Sequence, residues 1–147
     1  MQTGRRQSLF VVAFQFLLFG YFVLTGPLLA RRIPCLILEI LGLALGTWAA
    51  LSMNIRRVRV MPDVAPDAVL VTRGPYRVVR HPMYTAVLLV LLALLLDQFS
   101  WDRGMAWLLS TVNLVLKLNM EERFLVQRFP PYEEYRKRSW RLCPLVY

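Results

Sequence analysis

Two groups of side chains in this sequence have the types and spacing to do chemistry. The first is Thr72-Arg73-Gly74-Pro75-Tyr76, followed by Arg80-His81-Pro82-Met83-Tyr84. It gathers a Gly-Pro turn signal, two tyrosines and the only histidine just before an apolar run begins. A helix starting there would offer unpaired N–H groups to an anionic ligand. The same residues also suit an interface belt, with arginines on lipid headgroups and tyrosines at the water boundary, and composition alone leans that way. The second group is Ser110, Asn113, Lys117 and Glu121, whose three- and four-residue spacing puts them on one helix face. Such a stripe is costly against lipid, so it should face protein or a wet cavity. A functional site and plain helix packing, with Lys117 snorkelling and pairing with Glu121, both meet that demand.

Other machinery is lacking. One histidine cannot build a multi-histidine metal site, and there is no Cys-x-x-Cys, so no metal is expected. There is no P-loop, no dinucleotide G-x-G-x-x-G and no serine in a nucleophile elbow. Cys35 and Cys143 read as two unpaired thiols.

The elements that must position these residues read as membrane helices. The chain has 147 residues, enough for a single domain, and 57% of them are hydrophobic. A soluble chain this short could not bury that much apolar surface in one core. Leu9 to Ala30 and Ile33 to Met53 are each long enough to cross a hydrocarbon layer of roughly 30 Å. Only Arg31 and Arg32 separate them, which predicts a helical hairpin over residues 1–53. Within the second run, Gly42 and Gly46 have the G-x-x-x-G spacing that lets another helix approach closely. Glu39 is its one ionisable group, open to functional use or to a structural hydrogen bond. Met83 to Leu96 is short for a full crossing, and Gly104 to Met120 returns after a polar turn that holds Trp101, which predicts a second hairpin. The expected fold is thus all-α and integral to the membrane, with about four transmembrane helices in two hairpins. A charged, amphipathic C-terminal segment follows, broken by Pro130-Pro131.

Charge sets the expected orientation. The net charge of +9 could mark a nucleic-acid binder, but the arginines sit beside apolar runs, as juxtamembrane charge does. Lipid, and no nucleic acid, is therefore the expected partner. Arg5, Arg6, Arg56, Arg57, Arg59, Arg73, Arg77, Arg80 and the basic tail around Trp140 fall on one side of four spans. The other side holds Arg31, Arg32 and Arg103. The positive-inside rule then puts both termini and the central segment in the cytoplasm, and reads the central arginines as mainly topological.

The ordered set Thr72-Arg73-Gly74-Pro75-Tyr76, Arg80-His81-Pro82-x-Tyr84, Glu121-Glu122 and Tyr132-x-x-Tyr135-Arg136-Lys137-Arg138 resembles the isoprenylcysteine carboxyl methyltransferase family. That family belongs to a wider group with the phospholipid N-methyltransferases, and the match runs from about Val69 to Pro144. The resemblance implies a helical membrane enzyme that takes S-adenosylmethionine from the cytosolic side and a lipophilic substrate from the bilayer. It implies one membrane-embedded domain over residues 1–147, with a cofactor-binding core over 68–147. By position, Ala68, Val69, Leu70, Val71, Tyr76, His81, Pro82, Met83 and Tyr84 match cofactor-contacting stretches, and Glu121 matches a carboxylate that holds the cofactor. Lys117 stands where the family often has an arginine that orients a substrate carboxylate, which makes Lys117 and Glu121 the expected catalytic pair. Lysine lacks the bidentate fork of arginine. Ala86 stands where the family often has glycine, and Pro130-Pro131 replaces a Phe-Gly turn. The expected reaction is methyl transfer to a lipophilic acceptor, with a carboxylate first and a phospholipid or other amine as the alternative. A non-catalytic scaffold retaining the motif, or a diverged reductase using a nicotinamide cofactor, are the remaining readings.

Overall fold

The computed structural model describes residues 2–53 and 70–144, with side chains from Ser8 onward. Ala68 and Val69, the arginines at 56, 57 and 59, and Asp63 to Asp67, whose composition reads as loop, lie outside the described residues, as do the side chains of Arg5 and Arg6. The described chain is helical: α1 (Gln2–Thr25), α2 (Ile33–Met53), a 3-10 turn (Gly74–Arg77), α3 (Pro82–Asp97), α4 (Trp101–Arg128) and α5 (Tyr132–Lys137).

Prolines and a glycine set the helix boundaries. α1 stops where Gly26-Pro27 removes a side chain and then a backbone donor. Pro34 and Pro82 sit in the first turns of α2 and α3, where an N–H has no intrahelical acceptor to lose. α4 ends at Arg128, ahead of Pro130-Pro131. It is longer than the apolar run that predicts it: the helix continues past Met120 and carries Glu121 and Glu122 with it.

Ser8–Thr25 and Ile33–Met53 are long and apolar enough to cross a membrane, and only 22% of each is buried within the protein. Phe10, Leu17 and Leu24 on α1, and Ile33 and Leu41 on α2, are exposed. Each such side chain costs roughly 1.5–3 kcal/mol if it faces water instead of an apolar phase. Lipid removes that cost. α3, at 16 residues, is about 24 Å long and falls short of the roughly 30 Å of a hydrocarbon core.

The two-hairpin expectation holds for chain order but not for packing. α1 packs on α4 and α2 packs on α3, while α3 and α4 meet along a narrower seam. The helices flanking the 26–32 link are therefore not each other's main partners. Leu18 and Phe22 of α1 pack with Leu91, Leu94 and Leu95 of α3 and Ala106 of α4 to form the core. The reason is the glycine pair on α2. A Cβ at Gly42 would stand 2.9 Å from Val90 Cγ2 and 3.1 Å from the Ala86 carbonyl, so α3 occupies the close-approach groove. Ala86 itself is buried in that seam, 3.2 Å from where a Gly46 Cβ would be. Gly42→Ala is expected to destabilise by about 1–3 kcal/mol, because a backbone carbonyl cannot rotate away. Gly46→Ala, which meets only a methyl group, should cost less, and Gly20→Ala, with nothing within 4 Å, should be near neutral. Thermal unfolding of the three variants in nanodiscs checks that order.

Carboxylates tie down the 26–32 link at the end of the molecule away from the 3-10 turn. Asp97 accepts hydrogen bonds from the backbone N–H groups of Arg31 (2.9 Å) and Arg32 (2.7 Å). Glu39 is buried and accepts from the Ala30 N–H at 2.8 Å, so it makes the structural hydrogen bond that the sequence left open. Arg103, also buried, donates to the Leu94 carbonyl at 3.2 Å and lies 5.0 Å over the Phe22 ring.

Candidate active site

The opposite end gathers the residues with chemical potential. It begins at Gly74, whose φ of +61° is open to glycine at little cost. A Cβ there would also strike the Ser52 hydroxyl oxygen at 2.4 Å, so the turn can sit against the end of α2 only because position 74 is bare. Pro75 starts the 3-10 turn and buries Tyr76. The chain then runs beside the tail: Arg80 N–H donates to the Trp140 carbonyl (2.7 Å), His81 N–H to the Arg141 carbonyl (3.1 Å), and Trp140 N–H to the Val78 carbonyl (2.9 Å). This parallel bridge between Val79 and Trp140 is the one strand-like pairing among the described residues. Thr85 Oγ1 adds a bond to the Leu142 carbonyl at 2.6 Å, and the Tyr135 hydroxyl donates to the Tyr76 carbonyl at 2.5 Å.

Adjacent carboxylates on α4 are put to different uses. Glu122 is buried and saturated: Arg80 Nε donates to Oε1 at 2.9 Å and Arg141 Nη2 to Oε2 at 2.8 Å, with His81 Nε2 3.4 Å from Oε1. Arg80 also donates to the carbonyls of Arg136 and Ser139. Glu122 lies beyond the apolar part of α4. Burial pushes its carboxyl up, but the hydrogen bonds from His81 and Arg80 and their charge outweigh that and hold it at about 2. Glu121 is different. Its side chain is 28% exposed, and it accepts from the Tyr84 hydroxyl at 2.7 Å, with His81 Nδ1 3.8 Å away. His81 and Tyr84 stack with ring centres 5.4 Å apart and planes within 3°. The Tyr76 hydroxyl is buried with no hydrogen-bond partner, and burial together with the nearby Glu121 charge pushes its pKa up. It is a donor at any ordinary pH.

The polar stripe of α4 divides as it climbs the helix. Ser110 donates to the Ala106 carbonyl (2.8 Å), and Asn113 donates to the Val11 carbonyl of α1 (3.0 Å), so both serve packing. Lys117 is buried, donates to Gln15 Oε1 of α1 at 3.1 Å, and holds its ammonium 5.2 Å from the centre of the Tyr84 ring. The structure thus brings Tyr76, His81, Tyr84, Lys117 and Glu121 to one place. Pro82 and Met83 form the first turn of α3 beside them, and Leu70 and Val71 lie half-buried in the irregular segment leading to Gly74. Sequence reasoning passed over two residues of this neighbourhood. Gln15 is a lone polar interruption of the Leu9 to Ala30 run with no motif around it, and Glu122 reads in the sequence only as the second of two paired carboxylates. Arg80, read as topological, is a buried ion-pair centre.

The donor set suits S-adenosylmethionine. A partly open carboxylate (Glu121) matches a cationic amino or sulfonium group, the unpartnered Tyr76 hydroxyl matches an acceptor oxygen, and the aromatic faces favour a cation. Among the described residues no three His, Cys, Asp or Glu side chains gather as metal ligands.

The site thus sits on a helical scaffold with two helices long and apolar enough to cross a membrane. Residues 30–131 match the phospholipid methyltransferase family model, and the chain belongs to that family of methyltransferases. A curated relative is the cobalt-zinc-cadmium resistance protein CzcN of Cupriavidus metallidurans, 30% identical over 129 residues. The alignment covers 84% of this chain and 54% of that protein, so the chain spans about half the length of the curated relative it matches. The family match reaches back through α2, further than the motifs alone. It leaves α1, α5 and the tail outside.

Proposed function

We propose that the chain is an S-adenosylmethionine-dependent methyltransferase of the membrane, acting on a lipophilic acceptor whose nucleophile is a carboxylate. The observation that carries this reading is the cluster of Tyr76, His81, Tyr84 and Glu121 directly above the buried Lys117. We assign the cluster to the cytosolic face of a four-crossing topology, with α3, lengthened across the bilayer by its flanking residues, and α4 forming the second pair of crossings and the acceptor arriving from the bilayer.

S-adenosylmethionine, when bound, supplies a methyl group on a positively charged sulfur. That group would be open to direct displacement by an acceptor oxygen, the carbon–sulfur electron pair leaving with sulfur. A carboxylate is already ionised, so no general base is required, and alignment supplies most of the rate. Glu121 would hold the cofactor by its cationic groups, and Tyr84 holds Glu121 in place through its 2.7 Å hydrogen bond. Tyr76 would donate to a cofactor oxygen. Lys117 would neutralise and aim the acceptor carboxylate.

The second reading is N-methylation of a phospholipid amine, which the family description favours. An amine must first lose a proton, and Glu121 is the partly open carboxylate at the site. Lys117 argues for the acid, since an ammonium pairs with a carboxylate but has no acceptor to offer an amine N–H.

Purified protein in nanodiscs is expected to bind S-adenosylmethionine and S-adenosylhomocysteine saturably, with a rise in unfolding temperature. No binding at millimolar cofactor would sink the proposal. Base-labile labelled product from a total lipid extract would mark an ester, and base-stable product an N-methyl group.

A further inference from the structure

Lysine at position 117 poses a problem for a carboxylate acceptor, because one ammonium cannot grip both oxygens as a guanidinium does. Gln15 answers it. Lys117 Nζ and Gln15 Oε1 are 3.1 Å apart, and an ammonium only donates, so the amide must turn its carbonyl toward Lys117. That makes the NH2 group of the half-buried Gln15 a second donor near the ammonium. The arrangement is held from both helices. Asn113, one turn below Lys117, donates to the Val11 carbonyl, one turn before Gln15, and so sets the register of α1 on α4. The Tyr84 ring centre lies 5.2 Å from the same ammonium, and the Tyr84 hydroxyl is taken up by Glu121, so of these two neighbours Gln15 is the one with a donor group to offer an anion. A glutamine in the apolar part of α1 is costly unless its amide is used.

Resting on the methyltransferase reading, we propose that Gln15 is a specificity-determining residue. Its amide completes, with the Lys117 ammonium, a two-donor site for the carboxylate of a lipophilic acid. α1, which lies outside the family match, thereby selects the acceptor, while α3 and the end of α4 hold the cofactor.

The test titrates radiolabelled dodecanoate, dodecylamine and dodecanol into the protein in phosphatidylcholine nanodiscs, with protein-free discs subtracted and S-adenosylhomocysteine binding measured in parallel. Wild-type protein is expected to bind dodecanoate in preference to the amine and the alcohol. Gln15→Leu should weaken dodecanoate about tenfold, the usual worth of a hydrogen bond to a charged group. Gln15→Glu keeps an acceptor for Lys117 but sets a carboxylate where the donor was, and should lose dodecanoate more completely. The double variant Gln15→Leu, Lys117→Arg should recover most of the affinity, because one guanidinium supplies both donors. Absence of the acid preference, an unchanged Gln15→Leu, or no recovery in the double variant would each overturn the assignment. If S-adenosylhomocysteine still binds in those cases, only the role of Gln15 falls. If wild-type protein binds dodecanoate but no S-adenosylhomocysteine, the methyltransferase reading falls instead.

Discussion

Glu122→Gln is expected to destabilise the protein by about 3 kcal/mol, and to do so by releasing the tail. Removing one partner of a buried ion pair typically costs about 3–5 kcal/mol, because the remaining charge is left uncompensated. Arg80 is buried and would be stranded, whereas Arg141 is partly exposed and can turn to water, which places the estimate at the lower end. The tail is the first part to give way, since Arg80 also holds the carbonyls of Arg136 and Ser139. Hydrogen exchange should therefore rise first at Arg80, His81 and Trp140, whose N–H groups form the bridge between the central segment and the tail. The double variant Arg80→Met, Glu122→Met should be more stable than Glu122→Gln, because neither charge is then buried alone. The same geometry fixes the response to acid. The folded-state carboxyl of Glu122 is held at about 2, below its unfolded value, so its contribution is fully present above the unfolded value and is lost as pH falls toward 2. Tail release in wild-type protein should follow that window. In Glu122→Gln this acid-dependent part of the release should disappear.

Glu121→Gln should do the reverse: leave the fold in place and remove the ligand. The amide still accepts from the Tyr84 hydroxyl, and its partly exposed position carries no buried charge to strand. The lost interaction is the one between the carboxylate and a cationic cofactor. A charge-assisted hydrogen bond of that kind is worth about 1.5–3 kcal/mol, so affinity for S-adenosylmethionine should fall about ten- to a hundredfold. Calorimetric titration together with an unfolding scan separates the two neighbours. One variant loses stability with residual binding, and the other loses binding with its stability kept. An equal loss of both in both variants would merge the roles that the geometry keeps apart.

That separation marks a limit of what spacing conveys. Glu121 and Glu122 are identical in type and adjacent, but a helix turns about 100° per residue, so they point to different neighbours. Which one meets the arginines depends on where the tail docks, and the tail docks through backbone hydrogen bonds between Val78–His81 and Trp140–Arg141 that carry no side-chain signature. Arg80 was misread for the same reason. Beside other arginines it looks topological, and only the fold shows it buried against Glu122. The stripe on α4 was legible as a stripe, because polar residues at helical spacing cannot face lipid. Its division between packing at Ser110 and Asn113 and a site at Lys117 and Glu121 was not, since α1 supplies the partners of Asn113 and Lys117 from a hundred residues away.

The sequence by itself determined that this protein is built from apolar helices, that Pro130-Pro131 breaks the chain after the last long one, that α2 has a face for close approach, and that His81, Tyr84 and Glu121 belong together. These are local matters: hydropathy sets the solvent, proline and glycine set the ends, and a family pattern is a string. Only the tertiary structure decided that α3 fills the Gly42 groove, that α1 packs on α4, and that Glu122 is a clamp while Glu121 stays partly open. Only it placed Gln15 beside Lys117. Each of these depends on contacts between segments far apart in the chain, whose register is settled by packing and by backbone groups that every residue shares.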